Sequence, residues 1–176
     1  MVYRAMPESD LELILPDAAA TETLGRALAQ VLAGDAAPGI VIYLQGDLGA
    51  GKTTCARALL RALGIVGLIR SPTYTLVEVY ETDDRTCIHV DLYRLSGALD
   101  VEALGLRDYL SHRHLLLIEW PQKAVEALPA ADIDIGIRYL HAGRVATVRT
   151  RTPTGADVGK KLSDDASLKV YVSHLT

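Results

Sequence analysis

GDLGAGKTT, residues Gly46 to Thr54, satisfies the pattern G-x4-G-K-S/T, a glycine-rich turn that opens a helix. Each position has a mechanical task. Gly46, Gly49 and Gly51 let the backbone turn tightly, so that the N–H groups of a loop including Asp47 and Ala50 converge on phosphate oxygens. Lys52 reaches toward β and γ phosphates, the Thr53 hydroxyl can ligate Mg²⁺, and Thr54 can add a phosphate contact. The helix that starts here turns its positive dipole end on the same point. The pattern alone also fits an ordinary glycine turn, so its flanks decide. Before it runs Ile40 to Leu44 (IVIYL), an apolar run typical of a strand buried on both faces. After it, Lys52 to Leu63 reads as an Ala- and Leu-rich helix stopped at Gly64. A strand, this loop and a helix together predict a nucleoside triphosphate site.

Outward from the loop the same alternation continues. Leu11 to Ile14 reads as a short strand, and a helix follows Pro16-Asp17 with Leu24, Ala27, Leu28, Val31 and Leu32 at helical spacing, ended by Gly34-Asp35. Thr75 to Tyr80 and Thr86 to Tyr93 read as strands about a polar turn; in the second, His89, Asp91 and Tyr93 share one face and Ile88, Val90 and Leu92 the other. Asp100 to Leu110 has a helical pattern with Asp100 as its cap, and Leu115 to Ile118 (LLLI) is a buried strand. Ile133 to Tyr139 and Val145 to Thr150 form a hairpin with Gly143 in its turn. Residues 152 to 165, rich in Gly, Asp and Lys, read as a mobile linker to a last short strand over 168 to 175. The expectation is one α/β domain over residues 1–151, mostly parallel in its central sheet with antiparallel edge strands and a C-terminal hairpin, then a tail over 152–176.

Two carboxylates stand at strand ends, where phosphate chemistry needs an acid to anchor Mg²⁺ or orient water: Glu119 directly after LLLI, and Asp91 near the end of TCIHVDLY. The expected division gives the metal to Glu119 with Thr53 and the water, or the acid/base step, to Asp91, although the two roles could be exchanged. His89 reads as a structural hydrogen-bonding residue. Trp120 can pack beside a nucleotide or fill core space. Ser71-Pro72-Thr73-Tyr74-Thr75 lies where a loop could sense the γ phosphate through its hydroxyls, that of Thr73 among them, or simply turn and start a strand.

Composition limits the partners. Lys and Arg number 18 against 22 Asp and Glu, a net charge of -4, which suits neither DNA nor free-standing RNA binding. The N-terminal stretch has no long apolar core after a basic start, and no segment approaches the roughly 18 apolar residues of a membrane span, so a cytoplasmic chain is expected. Cys55 and Cys87 lack metal-ligand spacing and read as reduced, covered thiols.

GDLGAGKTT, SPTYTLVEVY, HVDLYRL and IEWPQK, in this order and spacing, resemble the bacterial TsaE (YjeE) family from about Leu15 to Arg149. The resemblance implies a slow ATPase that binds ATP or ADP with Mg²⁺. It implies work alongside the TsaB–TsaD pair, which forms threonylcarbamoyladenosine at position 37 of tRNAs reading ANN codons, with tRNA held by the partners. It implies that Lys52, Thr53 and Thr54 hold phosphates, that Thr53 and Glu119 hold Mg²⁺, and that Asp91 is needed for hydrolysis. Trp120 would lie beside the nucleotide, the SPT segment would be a switch, and Asp17 and Arg144 would flank the site. Val79 departs from the family pattern within a strand, and the tail after Arg151 matches poorly. The rival readings are a small-metabolite kinase, for which no Arg-rich lid segment is found, and a binding switch with negligible turnover. A GTPase is disfavoured by the lack of an N-K-x-D segment.

Overall fold

The computed structural model describes residues 11–33, 39–110 and 113–173. The helix end expected at Gly34-Asp35, the first ten residues and the last three lie outside them. Seven strands form one sheet: β1 (Leu11–Leu15), β2 (Ile40–Gln45), β3 (Val77–Glu81), β4 (Thr86–Asp91), β5 (His114–Glu119), β6 (Ile133–Leu140) and β7 (Gly143–Thr150). Their spatial order is β1-β7-β6-β2-β5-β4-β3. The central four, β6, β2, β5 and β4, run parallel, while β1, β7 and β3 pair antiparallel at the margins. This is the α/β architecture the apolar runs predict.

Among the described residues four helices flank the sheet: α1 (Ala18–Leu32), α2 (Lys52–Ala62), α3 (Ala98–Glu102) and α4 (Pro153–Asp164). Side-chain alternation divides the core between the two faces. Ile40, Ile42 and Leu44 of β2 join Leu115 and Leu117 of β5 under α1, α2 and α4. Val41 and Tyr43 join Leu116, Ile118, Ile88 and Val90 on the other face, covered by α3 and short 3-10 turns. The parity carries a consequence for function. Glu119 continues the row of Leu115 and Leu117, and His89 and Asp91 continue that of Cys87, so all three polar side chains fall on the face of α2.

Three expectations change in detail. Asp100 to Leu110 is not one helix: α3 ends early and a 3-10 turn, Leu106–Tyr109, follows Gly105, whose φ of 60° interrupts helical geometry. Asp100 lies inside α3, and its carboxylate accepts from the Ser96 amide at 3.2 Å. In the hairpin, the turn falls at His141-Ala142 with His141 at φ 49°, and Gly143 already belongs to β7. Gly143 is required for closeness instead, since a Cβ there would stand 2.8 Å from the Leu15 carbonyl oxygen.

The mobile linker over 152–165 is corrected outright, because it forms α4. Thr152 caps the helix by accepting from the Gly155 amide at 3.1 Å, and Pro153 fits its first turn, where no donor is needed. Val158 and Leu162 then bury into the core beneath α1. The glycines that suggested a loop allow close packing: a Cβ at Gly155 would meet the Asp132 carbonyl oxygen at 2.0 Å, and one at Gly159 the Thr150 methyl at 2.5 Å. The final strand shrinks to a 3-10 turn, Lys169–Tyr171, and a single bridge from Val172 to Leu13.

Both cysteines are buried, and burial pushes the Cys55 thiol up to about 12 and the Cys87 thiol to about 11. Neither should react with a thiol reagent at pH 8 until the chain is unfolded; rapid native labelling would contradict the core packing. From the ordinary thiol value of 9.0 upward, the unfolded chain gives up protons that the folded chain keeps, so stability should fall as pH rises through that window. Leu162→Ala should cost about 3 kcal/mol in urea unfolding. A mobile tail would leave the midpoint unmoved.

Candidate nucleotide site

At the C-terminal ends of β2, β5 and β4 lies a cleft of about 280 Å³, lined by Leu48, Gly49, Gly51, Lys52, Thr53, Thr54, Ser71, Thr73, Asp91, Tyr93, Glu119 and Trp120. Its position follows from topology, because the chain leaves β2 through the loop and α2, passes outward to β3 and β4, and only then returns to β5 between β4 and β2. Ligands of open parallel sheets bind where such connections diverge. The loop itself is wound by Gly46, Gly49 and Gly51 at φ 141°, 77° and 115°. At Gly46 a Cβ would sit 2.1 Å from the Ile137 carbonyl oxygen, so β6 holds the loop from below.

Lys52 is 4% exposed, and its ammonium curls back to donate to the carbonyls of Gly46 at 2.7 Å and Asp47 at 2.8 Å. It also stands 4.0 Å over the centre of the Trp120 ring, a contact worth about 1–2 kcal/mol when desolvated. Burial holds its pKa below the ordinary lysine value, while Glu119, Asp91 and Asp47 pull it upward. The surrounding acids therefore favour the charged form that a phosphate needs.

The Thr53 hydroxyl lies 2.9 Å from each carboxylate oxygen of Glu119 and donates between them. Glu119 is 2% exposed, and its other contact is His89, whose Nε2 is 2.9 Å from Oε1. This buried carboxylate takes no bond from a lysine or arginine among the described residues. A hydroxyl and a carboxylate side by side at the phosphate loop suit Mg²⁺, which takes one or two protein oxygens and completes its shell with phosphate and water. Among the described residues no cluster of three His, Cys, Asp or Glu could cage a metal by itself.

Asp91 is held differently. Its Oδ2 accepts from the Ser71 hydroxyl in a short contact and from the Thr73 hydroxyl at 2.7 Å, and its Oδ1 accepts from the Tyr93 amide at 2.9 Å. The SPT segment is thus fastened to the acid. Its far end bends sharply at Leu76, with φ 65° and an amide donating to the Pro72 carbonyl at 2.6 Å. Trp120, which lines the cleft, also has a positive φ, at 61°. Its amide donates to the Leu44 carbonyl at 3.3 Å, and its ring meets Tyr93 at 5.0 Å, which together set it under Lys52. Such backbone strain is tolerated where packing fixes the side chain.

Of the residues singled out in the sequence, Gly49, Gly51, Lys52, Thr53, Thr54, Thr73, Asp91, Glu119 and Trp120 meet in one cleft. Gly46, Asp47 and Ala50 shape the loop without lining the cleft. Arg144 reaches the loop from β7, with Nη2 at 3.5 Å from the Gly49 carbonyl and a buried Nε that has no partner. Asp17 does not line the cleft; it caps α1, accepting from the Ala20 amide at 2.8 Å. Ser71, one of the hydroxyls expected to sense the γ phosphate, lines the cleft with Thr73; Tyr93 lines it although it was not singled out as a ligand, and His89 contacts Glu119 directly. The period of two placed Tyr93 and His89 on the face of Asp91, but no sequence signal joined His89 to a residue thirty positions away.

Fold and loop together define a P-loop protein of the mixed α/β class. A family model described as "Threonylcarbamoyl adenosine biosynthesis protein TsaE" matches residues 15–146. The chain is 43% identical over 119 residues to a tRNA threonylcarbamoyladenosine biosynthesis protein TsaE of Haemophilus influenzae, covering 68% of this chain and 75% of the relative. It is 40% identical over 136 residues to the protein of that name from Streptomyces coelicolor, covering 75% and 88%. The crystal structure of Bacillus subtilis YdiB superposes with a TM-score of 0.75 at 26% identity, covering 91% of this chain and 98% of that one. The chain belongs to the TsaE family.

The clamp on Asp91 makes a prediction of its own. Asp91→Ala should speed amide hydrogen exchange across 71–76 and at Tyr93, leaving amides of β2 and β5 as protected as before. Unchanged exchange in the SPT segment would show that its order does not depend on the carboxylate.

Proposed function

We propose that this chain binds ATP with Mg²⁺ and hydrolyses it slowly by itself, in the cytoplasm. The turnover supports formation of threonylcarbamoyladenosine at position 37 of tRNAs reading ANN codons, in concert with a TsaB–TsaD pair that holds the tRNA. The observation that carries this reading is the meeting of Lys52, the Thr53–Glu119 contact and Asp91 around one cleft. A phosphate cradle, a pair of hard oxygens and a separate acid are the parts phosphoryl transfer to water requires. Membership of a family named for tRNA threonylcarbamoyladenosine biosynthesis supports the biological role.

In this reading Lys52 exchanges the carbonyls of Gly46 and Asp47 for phosphate oxygens, and the loop N–H groups orient the same oxygens. Thr53 and Glu119 hold Mg²⁺. When bound, the metal supplies positive charge against the β and γ phosphates. Asp91 orients the attacking water and accepts its hydrogen bond, once Ser71 and Thr73 turn from the carboxylate toward the γ phosphate. That exchange would make turnover slow in the chain alone, because its acid starts out occupied by two hydroxyls. Trp120 and Tyr93 wall the nucleotide side of the cleft, and Arg144 steadies the loop through the Gly49 carbonyl.

The purified chain should show low Mg²⁺-dependent ATP hydrolysis that rises on adding a TsaB–TsaD pair. Lys52→Ala should impair nucleotide binding, whereas Asp91→Ala should keep binding and lose turnover about 100-fold or more. Normal hydrolysis by the Asp91→Ala chain would overturn the role given to that residue. A wild-type rate indifferent to the pair would favour a kinase or a self-contained switch.

A further inference from the structure

His89 is fully buried on β4, and its Nε2 lies 2.9 Å from Glu119 Oε1 while its Nδ1 is buried with no partner. An imidazole that served only to fill core space would be poorly chosen, because an unpaired ring nitrogen away from water costs free energy that an aliphatic side chain avoids. The tautomer follows from the surroundings. With its hydrogen on Nε2 the ring donates to the carboxylate and leaves only a bare lone pair at Nδ1. The opposite tautomer would bury an unpaired N–H and set an imidazole lone pair against Oε1.

We infer that His89 is a positioning residue for Glu119, donating from Nε2 to hold the carboxylate turned toward Thr53 and the cation that the two would share. The inference deepens the proposed function and rests on its reading of Glu119 as a cation ligand. The side chain of Glu119 has three rotatable bonds, and the Thr53 hydroxyl can restrain it only until that hydroxyl turns to a cation. His89 supplies a restraint from the opposite strand that survives this exchange. Its own place is stiff: β4 pairs β5 in parallel, with Asp91 opposite Glu119 and His89 opposite Leu117, so the ring approaches the carboxylate diagonally from two pairs further back, on the same face of the sheet. Hydrogen-bond partners behind a metal ligand commonly set affinity by 10–100-fold.

The test reads binding rather than turnover, using the fluorescence of Trp120, the single tryptophan of the chain. ADP is titrated with and without Mg²⁺, and Mg²⁺ is titrated at saturating ADP. His89→Leu should raise the Mg²⁺ concentration for half-saturation about tenfold while leaving Mg²⁺-free ADP affinity unchanged. Should the leucine variant fail to fold, His89→Gln and His89→Asn decide: the longer amide reaches the Nε2 position and should restore Mg²⁺ affinity to within about threefold, and the shorter one should not. Wild-type Mg²⁺ dependence in His89→Leu, equal affinities for the Gln and Asn variants, or equal loss of ADP binding with and without Mg²⁺ would each overturn the inference. A wild-type chain whose ADP binding ignores Mg²⁺ would instead overturn the reading of Glu119 on which it rests.

Discussion

The contact between the Thr53 hydroxyl and the Glu119 carboxylate joins the first turn of α2 to the end of β5 across the cleft. It can exist only because three constraints agree. The loop must turn tightly enough to start α2 directly above β2. The chain must go out to β4 before filling the place between, so that β5 ends beside the loop. The alternation along β5 must then deliver Glu119, rather than Ile118, to the face that α2 covers. Burial of Leu115 and Leu117 beneath the helices enforces that last condition. A shift of one residue in register would put the acid on the far side of the sheet.

The same face rule gathers the other polar groups. Asp91 lies opposite Glu119 in the β4–β5 ladder, and His89 sits two pairs behind, on the same face. The two acids nonetheless have different company. Both are almost fully buried, but Glu119 has a hydroxyl and an imidazole as its partners, whereas Asp91 is held by a backbone amide and two hydroxyls on a connecting segment. A carboxylate held by a buried imidazole suits a fixed ligand. One fastened by two hydroxyls suits a group whose availability changes with the position of that segment. The sequence favoured the metal for Glu119 and the water for Asp91 while allowing the two to be exchanged, and the difference in partners favours the same division.

Much of this was legible beforehand, for physical reasons that differ by element. IVIYL and LLLI announced doubly buried strands because no polar residue interrupts them, and the loop between strand and helix carried its own turn chemistry. The candidate acids stood out because Glu119 directly follows LLLI and Asp91 lies near the end of TCIHVDLY. What escaped lay in tertiary contacts. The tail was misread because Gly155 and Gly159 look like loop residues until Asp132 and Thr150 press against them. Asp17 caps α1 rather than lining the cleft, and nothing local distinguishes a cap from a ligand. His89 joins Glu119 across two strands, and Trp120 adopts a left-handed backbone that its residue type does not suggest.

A crystal structure of the chain with ADP and Mg²⁺ would show most directly whether the Thr53–Glu119 contact marks a cation site. The expected result is phosphate in the loop, Lys52 drawn away from the carbonyls of Gly46 and Asp47, and Mg²⁺ between phosphate, the Thr53 hydroxyl and the Glu119 side. Phosphate bound elsewhere, or a cation that leaves Thr53 and Glu119 hydrogen-bonded to each other as before, would contradict it.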